Sequence, residues 1–512
     1  MKIEMQGITK LFPNGVLAND EVDFSVEKGE IHALIGENGA GKTTLMNILY
    51  GLYQPTSGKI KIDGVEKEFH SAREAINEGV GMIHQHFMLV PIFTVAQNIV
   101  LGFEPQQKGL LDEKKAQEIS LELSKQFSLS IDPNSVIRDL SVGMQQRVEI
   151  LKLLYQGADI LIFDEPTAVL TPQETRDLFT SVRSLVEMGK TVIFITHKLK
   201  EVQEISQRFT VMRRGKRIAA RDTQGVSREE MANLMVGREV FLQTKKEPPK
   251  VKDVVLEVEA LNSRAEPGKQ ELKDISFNIR SGEILGIAAV EGNGQSELVE
   301  IITGLRAASS GSVKVHGEEI IGLSPKEVKI VGVGHIPEDR SYNGYASEVT
   351  IEENLIIDRY WKKPYSKYYF INKRVVEENA KALIEQFDIR VQSGKQPTGQ
   401  GSGGNIQKVI VARELTSSSK LLLASQPTRG VDVGAAEYIR DLIVKQRTEG
   451  QAVLLTSADL GEVLNLSDRI VTMYEGEITG IFNNNPPLQE EEVGHYMLGK
   501  KQQSREEYVH EQ

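Results

Sequence analysis

Nine consecutive residues, GENGAGKTT at 36–44, hold the densest chemistry of this 512-residue chain. Gly36, Gly39 and Gly41 free the backbone to turn its N–H groups inward, with Glu37, Asn38 and Ala40 between them. The spacing G-x-x-x-x-G-K-T lies between an apolar run that reads as a strand and a segment that reads as a helix. Such a loop cradles phosphate oxygens, and the helix N-terminus adds positive potential. Lys42 brings a charge to the β- and γ-phosphates, Thr43 a hydroxyl for Mg²⁺, and Thr44 closes the loop. A second cluster, ADILIFDEPT at 158–167, is an apolar run ending in two carboxylates. Alone, that pair reads as a surface turn. Downstream of a phosphate loop, Asp164 reads as the residue holding the magnesium shell and Glu165 as the one orienting the attacking water.

These residues need strands to carry them. IHALI (31–35), ILIF (160–163) and TVIFIT (191–196) read as buried strands separated by Gly-rich turns and amphipathic helices, an α/β pattern. LSVGMQQRVEILKLLYQ (140–156) opens with small polar residues and continues with Val148, Leu151 and Tyr155 at helical spacing.

The surroundings of the phosphate loop recur. VDFSVEKGEIHALIG (22–36) lines up with ISFNIRSGEILGIAA (275–289), an offset of 253 that turns Lys42 into Gln295. The offset is 256 at Thr94 and Thr350, and 261 at Ser141 and Ser402 and from there on. The second copy therefore carries about eight extra residues, part of them in RYWKKPYSKYYF (359–370), which reads as a solvated or partner-facing surface loop. Most catalytic types are missing there: Ala289 stands for Gly36, Glu338 for Gln85, and Ser425 and Gln426 for Asp164 and Glu165. The chain thus reads as two nucleotide-binding domains, 1–238 and 254–499, with a polar linker at 239–253 and a charged, frayed tail at 500–512.

Composition narrows the setting. A net charge of −11 argues against wholesale nucleic-acid binding, and the absence of cysteine excludes disulfides and cysteine-ligated zinc. The start MKIEMQGITKLF lacks the apolar core of a signal peptide, and no apolar run approaches the roughly 20 residues of a membrane span. The expectation is a cytosolic chain that meets a membrane only through another protein. His84 and His86 flank Gln85 but bring no third metal ligand.

LSVGMQQR (140–147) resembles the signature of ABC-type ATPases, with Val142 and Met144 in place of the usual glycine and glutamine. The other motifs fall in the family's order across nearly the whole chain, twice. The resemblance implies two tandem ABC-type P-loop NTPase domains. Each would have a RecA-like core, an antiparallel β-subdomain and a helical subdomain carrying the signature. It implies ATP and Mg²⁺ as ligands, with Phe12 stacking on adenine, Gln85 as the Q-loop residue and magnesium ligand, and His197 as the switch histidine. Thr171 stands near the usual D-loop aspartate. In this family the halves pair head to tail. The complete first site would then use Ser402, Gly403 and Gly404 of the second signature, while Ser141 and Gly143 would serve the damaged one.

IPEDR (336–340) and TRGVDVGA (428–435) resemble the ribose, simple-sugar and nucleoside importer ATPases, and HQHFMLV (84–90) leans toward the nucleoside branch. That resemblance implies an energy-coupling subunit on the cytoplasmic face of the cell membrane, with two permease subunits and an extracytoplasmic solute-binding protein as partners and no nucleic acid. The apolar stretch 86–102 would be its docking surface. The rival reading is a soluble duplicated ATPase acting on ribosomes or DNA. The short linker, the disabled second set and the lack of cysteine speak against it.

Overall fold

The computed structural model describes all residues except 1, 14, 85–87, 108, 168–169, 171, 239–243, 245, 369, 418 and 505–512. The chain divides into two compact units, Met1–Val240 and Phe241–Gln512.

In the first unit the three apolar runs become adjacent strands, Ile31–Ile35, Thr191–Thr196 and Ile160–Asp164. They form the centre of a six-stranded sheet, flanked by Val80–Ile83 on one side and by Arg208–Arg213 and Lys216–Asp222 on the other. All pairings are parallel except the last hairpin. Residue alternation sorts each strand between two cores. Ile160 and Ile162 pack with Leu45 and Leu49 of the helix Lys42–Leu49, whereas Leu161 and Phe163 pack with Val148 and Leu151 of the helix Val142–Tyr155. The phosphate-loop helix and the signature helix therefore lie on opposite faces of the strand that delivers Asp164. A four-stranded antiparallel sheet runs Leu17–Val26, Ile3–Leu11, Ser57–Ile62, Val65–Lys67. The helices Val95–Val100 and Glu113–Gln126 join the signature helix in a helical portion. Each starts on a side-chain cap: Thr94 with Gln97 as a capping box, Asp112, and Ser141.

The second unit repeats this plan. Its six-stranded sheet runs Val333–Ile336, Leu421–Ser425, Ala452–Thr456, Ile284–Ala288, Arg469–Tyr474, Glu477–Asn483, the same order as in the first unit. A four-stranded antiparallel sheet and the helix Gly403–Leu415 follow the first unit in kind. The fold is thus the expected tandem of RecA-like cores with antiparallel and helical portions.

At three edges the structure adds detail to the expectations. The end of the predicted linker belongs to the second unit: Lys246 Nζ donates to the Leu466 and Ser467 carbonyls, and Arg447 Nη1 donates to the Glu247 carbonyl at 2.7 Å. The start of the predicted tail is also held. Gln503 N donates to Thr479 O at 2.9 Å, and its side chain accepts from Ile481 N at 2.8 Å, extending order past 499. Both segments are polar in composition, but their backbones find edge groups to pair with. In RYWKKPYSKYYF, Ser366–Lys367 and Phe370–Ile371 form an exposed hairpin, as a surface insertion should. Arg359 instead is buried, donating to the carbonyls of Thr416 and Arg413. Among the described residues no helix is long and apolar enough to cross a membrane.

Candidate active site

Three neighbouring parallel strands end together. Thr196 pairs with Ile35, and Ile195 with Asp164. The next residue of each chain, Gly36, Glu165 and His197, therefore projects from one rim, the carboxyl edge where α/β sheets bind ligands. This convergence follows from parallel register and not from any local motif.

The loop 36–41 crosses from the strand Ile31–Ile35 to the helix Lys42–Leu49. Gly41 caps that helix at φ 96°, and a Cβ there would lie 2.3 Å from the Ala18 carbonyl oxygen. Only glycine fits both the conformation and the space. Lys42 is buried, and its Nζ donates to Gly36 O at 2.8 Å and Glu37 O at 3.0 Å, which stations the ammonium over the loop. Ala40 is buried beneath the loop, while Asn38, Gly39 and Thr43 face outward.

Glu165 sits at φ 49°, left-handed for a non-glycine residue, a strain of roughly 1–3 kcal/mol that aims its carboxyl off the strand. Its Oε1 lies 3.0 Å from His197 Nδ1. Burial pushes this carboxyl up. The hydrogen bond and charge of His197, with Lys42 and Lys198, outweigh burial and hold the group below its ordinary value. Asp164 goes the other way, raised to about 6 by burial and by the charge of Glu165, against the Thr43 hydrogen bond and Lys42. Thr43 Oγ1 donates to Asp164 Oδ1 at 3.4 Å. A hydroxyl and a buried carboxyl side by side are hard oxygen donors, and a small divalent cation offsets the burial that disfavours the carboxylate. The residues fit such an ion.

The sequence motifs did not reveal what ties together the segments that follow Glu165 and flank His197. Glu201 Oε1 accepts from Thr167 Oγ1 at 2.5 Å and Oε2 from Thr196 Oγ1 at 3.0 Å. Lys198 Nζ donates to Thr167 O at 3.0 Å. Gln146 of the signature helix reaches the Pro166 carbonyl at 3.3 Å. A signal existed: the aligned Glu462 binds Thr428 and Ser457, and Gln407 binds Pro427, although Gln295, Ser425, Gln426 and Ala458 replace Lys42, Asp164, Glu165 and His197 in that copy. Residues shared by both copies where the charged ones differ mark the scaffold.

The remaining expected residues are placed as follows. Gln85 and Thr171 lie outside the described residues. Phe12 is half-buried and outside the core, edge-on to Tyr53 at 5.5 Å with Lys10 Nζ 5.3 Å from its ring. His84 packs edge-on to Tyr50 at 5.8 Å. Ser141 caps the first signature helix, where Gly143 N donates to Glu174 Oε1 at 3.2 Å. Ser402 occupies the N-cap position of the helix Gly403–Leu415 without a side-chain cap bond, and accepts from Asn405 Nδ2 at 2.9 Å. Gly403 sits beside Arg340, which donates to its carbonyl at 3.4 Å, and Gly404 faces Asp432.

In the second unit Gln426 keeps the left-handed backbone of Glu165, but its Oε1 accepts from Ala458 N at 3.1 Å where His197 would stand. Ser296 Oγ donates to Glu338 Oε2 at 2.9 Å, and Arg429 pairs with Glu338 at 2.8 Å. The backbone geometry at Gln426 survives without the charged groups of Lys42, Asp164, Glu165 and His197.

The ABC transporter family model matches residues 19–168 and 272–429. The nucleoside import ATP-binding protein NupA of Lactococcus lactis subsp. cremoris (strain MG1363) is 48% identical over 497 residues, covering 97% of this chain and 98% of that protein. The guanosine import ATP-binding protein NupO of Bacillus subtilis (strain 168) is 47% identical over 500 residues, covering 98% of each. Among solved structures, the archaeal ribosome recycling factor aABCE1, in complex with the ribosomal stalk protein aP1, aligns with a TM-score of 0.63. It covers 94% of this chain and 91% of that one at 19% identity, a likeness of fold alone. With one matched segment in each of its two units, the chain belongs to the ABC transporter family of ATP-binding proteins.

Proposed function

We propose that this chain is the ATP-hydrolysing subunit of a nucleoside importer and that it hydrolyses ATP at one site, that of its first domain. The observation that carries this is the Glu165–His197 pair beside Lys42 and Asp164, with Gln426, Ala458, Gln295 and Ser425 at the aligned positions of the second domain. Lys42 and the loop amides bind the phosphates, and Phe12 offers its ring to adenine. Glu165, kept ionised, accepts a hydrogen bond from water and aims it at the γ-phosphorus, while His197 holds Glu165 in that aim. Thr43, Asp164 and Gln85 would hold Mg²⁺, which when bound supplies positive charge to the leaving phosphates. Closure of the two domains on ATP brings Ser402, Gly403 and Gly404 to the first site and leaves Ser141 and Gly143 to the damaged one. Loss of the lysine, a donor of a kind worth on the order of 10²–10³ in rate, together with loss of the metal-holding carboxylate, leaves the second site nearly inactive.

The work of closure passes to two membrane permeases through the segment after Gln85, where Met88 and Ile92 are 64% and 70% exposed. An extracytoplasmic binding protein delivers the solute, and the chain sits on the cytoplasmic face of the membrane. The names of the two bacterial relatives support nucleosides over simple sugars. Co-purification from detergent followed by transport assays with labelled nucleosides and sugars tests the proposal. Two polytopic partners and nucleoside uptake that stops with Glu165→Gln are expected. Co-purifying ribosomes, or uptake indifferent to that substitution, would overturn it.

A further inference from the structure

We propose that Glu149 is a positioning residue of the ATPase, a strut that ties the segment at 88–90 to the signature helix so that the two move as one body. Glu149 lies two turns into the helix Val142–Tyr155 and is 5% exposed. Its Oε1 accepts from the backbone N–H of Met88 at 2.5 Å, three positions past Gln85. Its Oε2 is buried and has no hydrogen-bond partner among the described residues. Burying a carboxyl for one hydrogen bond is unfavourable, and an apolar side chain would serve packing better.

The second unit supplies the comparison. There Asn354 clamps Ala346 through both its N–H (2.9 Å) and its carbonyl (2.9 Å), as Asn98 clamps Val90 at 2.8 and 3.2 Å. The clamp belongs to the fold. The position aligned with Glu149 is Ile410, fully buried, and a Cβ on Gly344 would lie 2.6 Å from its Cδ1. The same two elements meet in both units, by packing in the second and by a carboxyl–amide bond only in the unit that keeps its catalytic groups. Tyr50, which packs on His84, and Lys152 are the ionisable neighbours. Burial pushes the carboxyl up to about 7, against the Met88 amide and Lys152. Charged or neutral, Oε1 remains an acceptor for Met88.

The inference rests on the reading that the first domain hydrolyses ATP. Its test uses the full chain with Glu149→Ile, which copies the second unit, and Glu149→Gln, which keeps an acceptor. Hydrogen exchange at 88–90 and steady-state ATP hydrolysis are measured together. Glu149→Ile is expected to speed exchange about tenfold and to lower kcat about tenfold with KM for ATP within about twofold. Glu149→Gln is expected to restore both. Unchanged exchange and kcat in Glu149→Ile overturn the proposal, as does a matching loss of ATP binding and thermal stability, which marks plain structural damage. Should Glu149→Ile fail to fold, a Glu149→Gln chain that folds but exchanges like an unprotected loop is equally fatal. Glu165→Gln separates the two readings, because it stops hydrolysis while leaving 88–90 protected.

Discussion

Glu165 and His197 are joined side chain to side chain at 3.0 Å, whereas their counterparts Gln426 and Ala458 are joined through a backbone N–H at 3.1 Å. The second arrangement keeps the loop geometry and gives up the ionisable pair. A carboxamide lacks the charge with which a carboxylate polarises water, however well it is aimed.

Glu165→Gln is therefore expected to lower phosphate release by roughly 10²–10⁴-fold and to leave nucleotide binding intact. The reciprocal change, Gln426→Glu, should add little, because Gln295 and Ser425 still lack the charges of Lys42 and Asp164. A phosphate-release assay beside an equilibrium binding titration reads both. Normal turnover in Glu165→Gln would remove this residue from the mechanism.

Gly41→Ala should weaken ATP binding and destabilise the first domain by about 1–3 kcal/mol, since a Cβ must enter both a left-handed backbone and the Ala18 carbonyl. Gly39→Ala, with open space around its Cβ, should suffer only the backbone strain. Calorimetry with and without ATP distinguishes the two.

Glu201→Ala removes the carboxylate that binds Thr167 and Thr196 on either side of the site. Turnover is expected to fall about tenfold or more through misplacement of His197, with ATP affinity nearly unchanged. Loss of affinity and activity in parallel would contradict a positioning role.

Stability of the second domain should depend on acid. Glu414 is fully buried between Arg413 and Lys329. Burial alone would raise its carboxyl, but those two cations hold it at about 2. Its native value lies below the unfolded one near 4.5, so its contribution is complete above 4.5 and is lost as pH falls toward 2. Neighbouring His335, lowered to about 4 by burial, acts with the same sign: protonation favours the unfolded chain as pH drops from 6.5 toward 4. Urea melts between pH 7 and 3 should show a decline of a few kcal/mol across this window. Glu414→Gln should start lower and vary less. A pH-independent wild type would be evidence against the cluster.

Much of this architecture was legible in the chain itself. Five- and six-residue apolar runs such as 31–35 and 191–196 are too short for helices and too apolar for exposed strands, so only a buried parallel sheet accommodates them. The phosphate loop was legible because its function depends on backbone freedom and one charged side chain, both local properties. Less visible were the end of the linker and the start of the tail, where polar residues pair with the backbone of the second unit. Arg359 in an otherwise exposed insertion was equally hidden, because two carbonyls 54 and 57 positions away receive its guanidinium.

What the chain determined alone was the kind of chemistry its residues suit: residue types and spacing name a phosphate cradle, a carboxylate pair and a second copy without the lysine and the carboxylates. Only the tertiary structure decided the condition of those groups. Lys42, Asp164, Glu165 and His197 span 155 positions and meet because parallel strands end in register. Burial raises Asp164 and Glu149, while the contact with His197 and nearby cations lowers Glu165. Protonation state is a property of surroundings, and surroundings are set by folding.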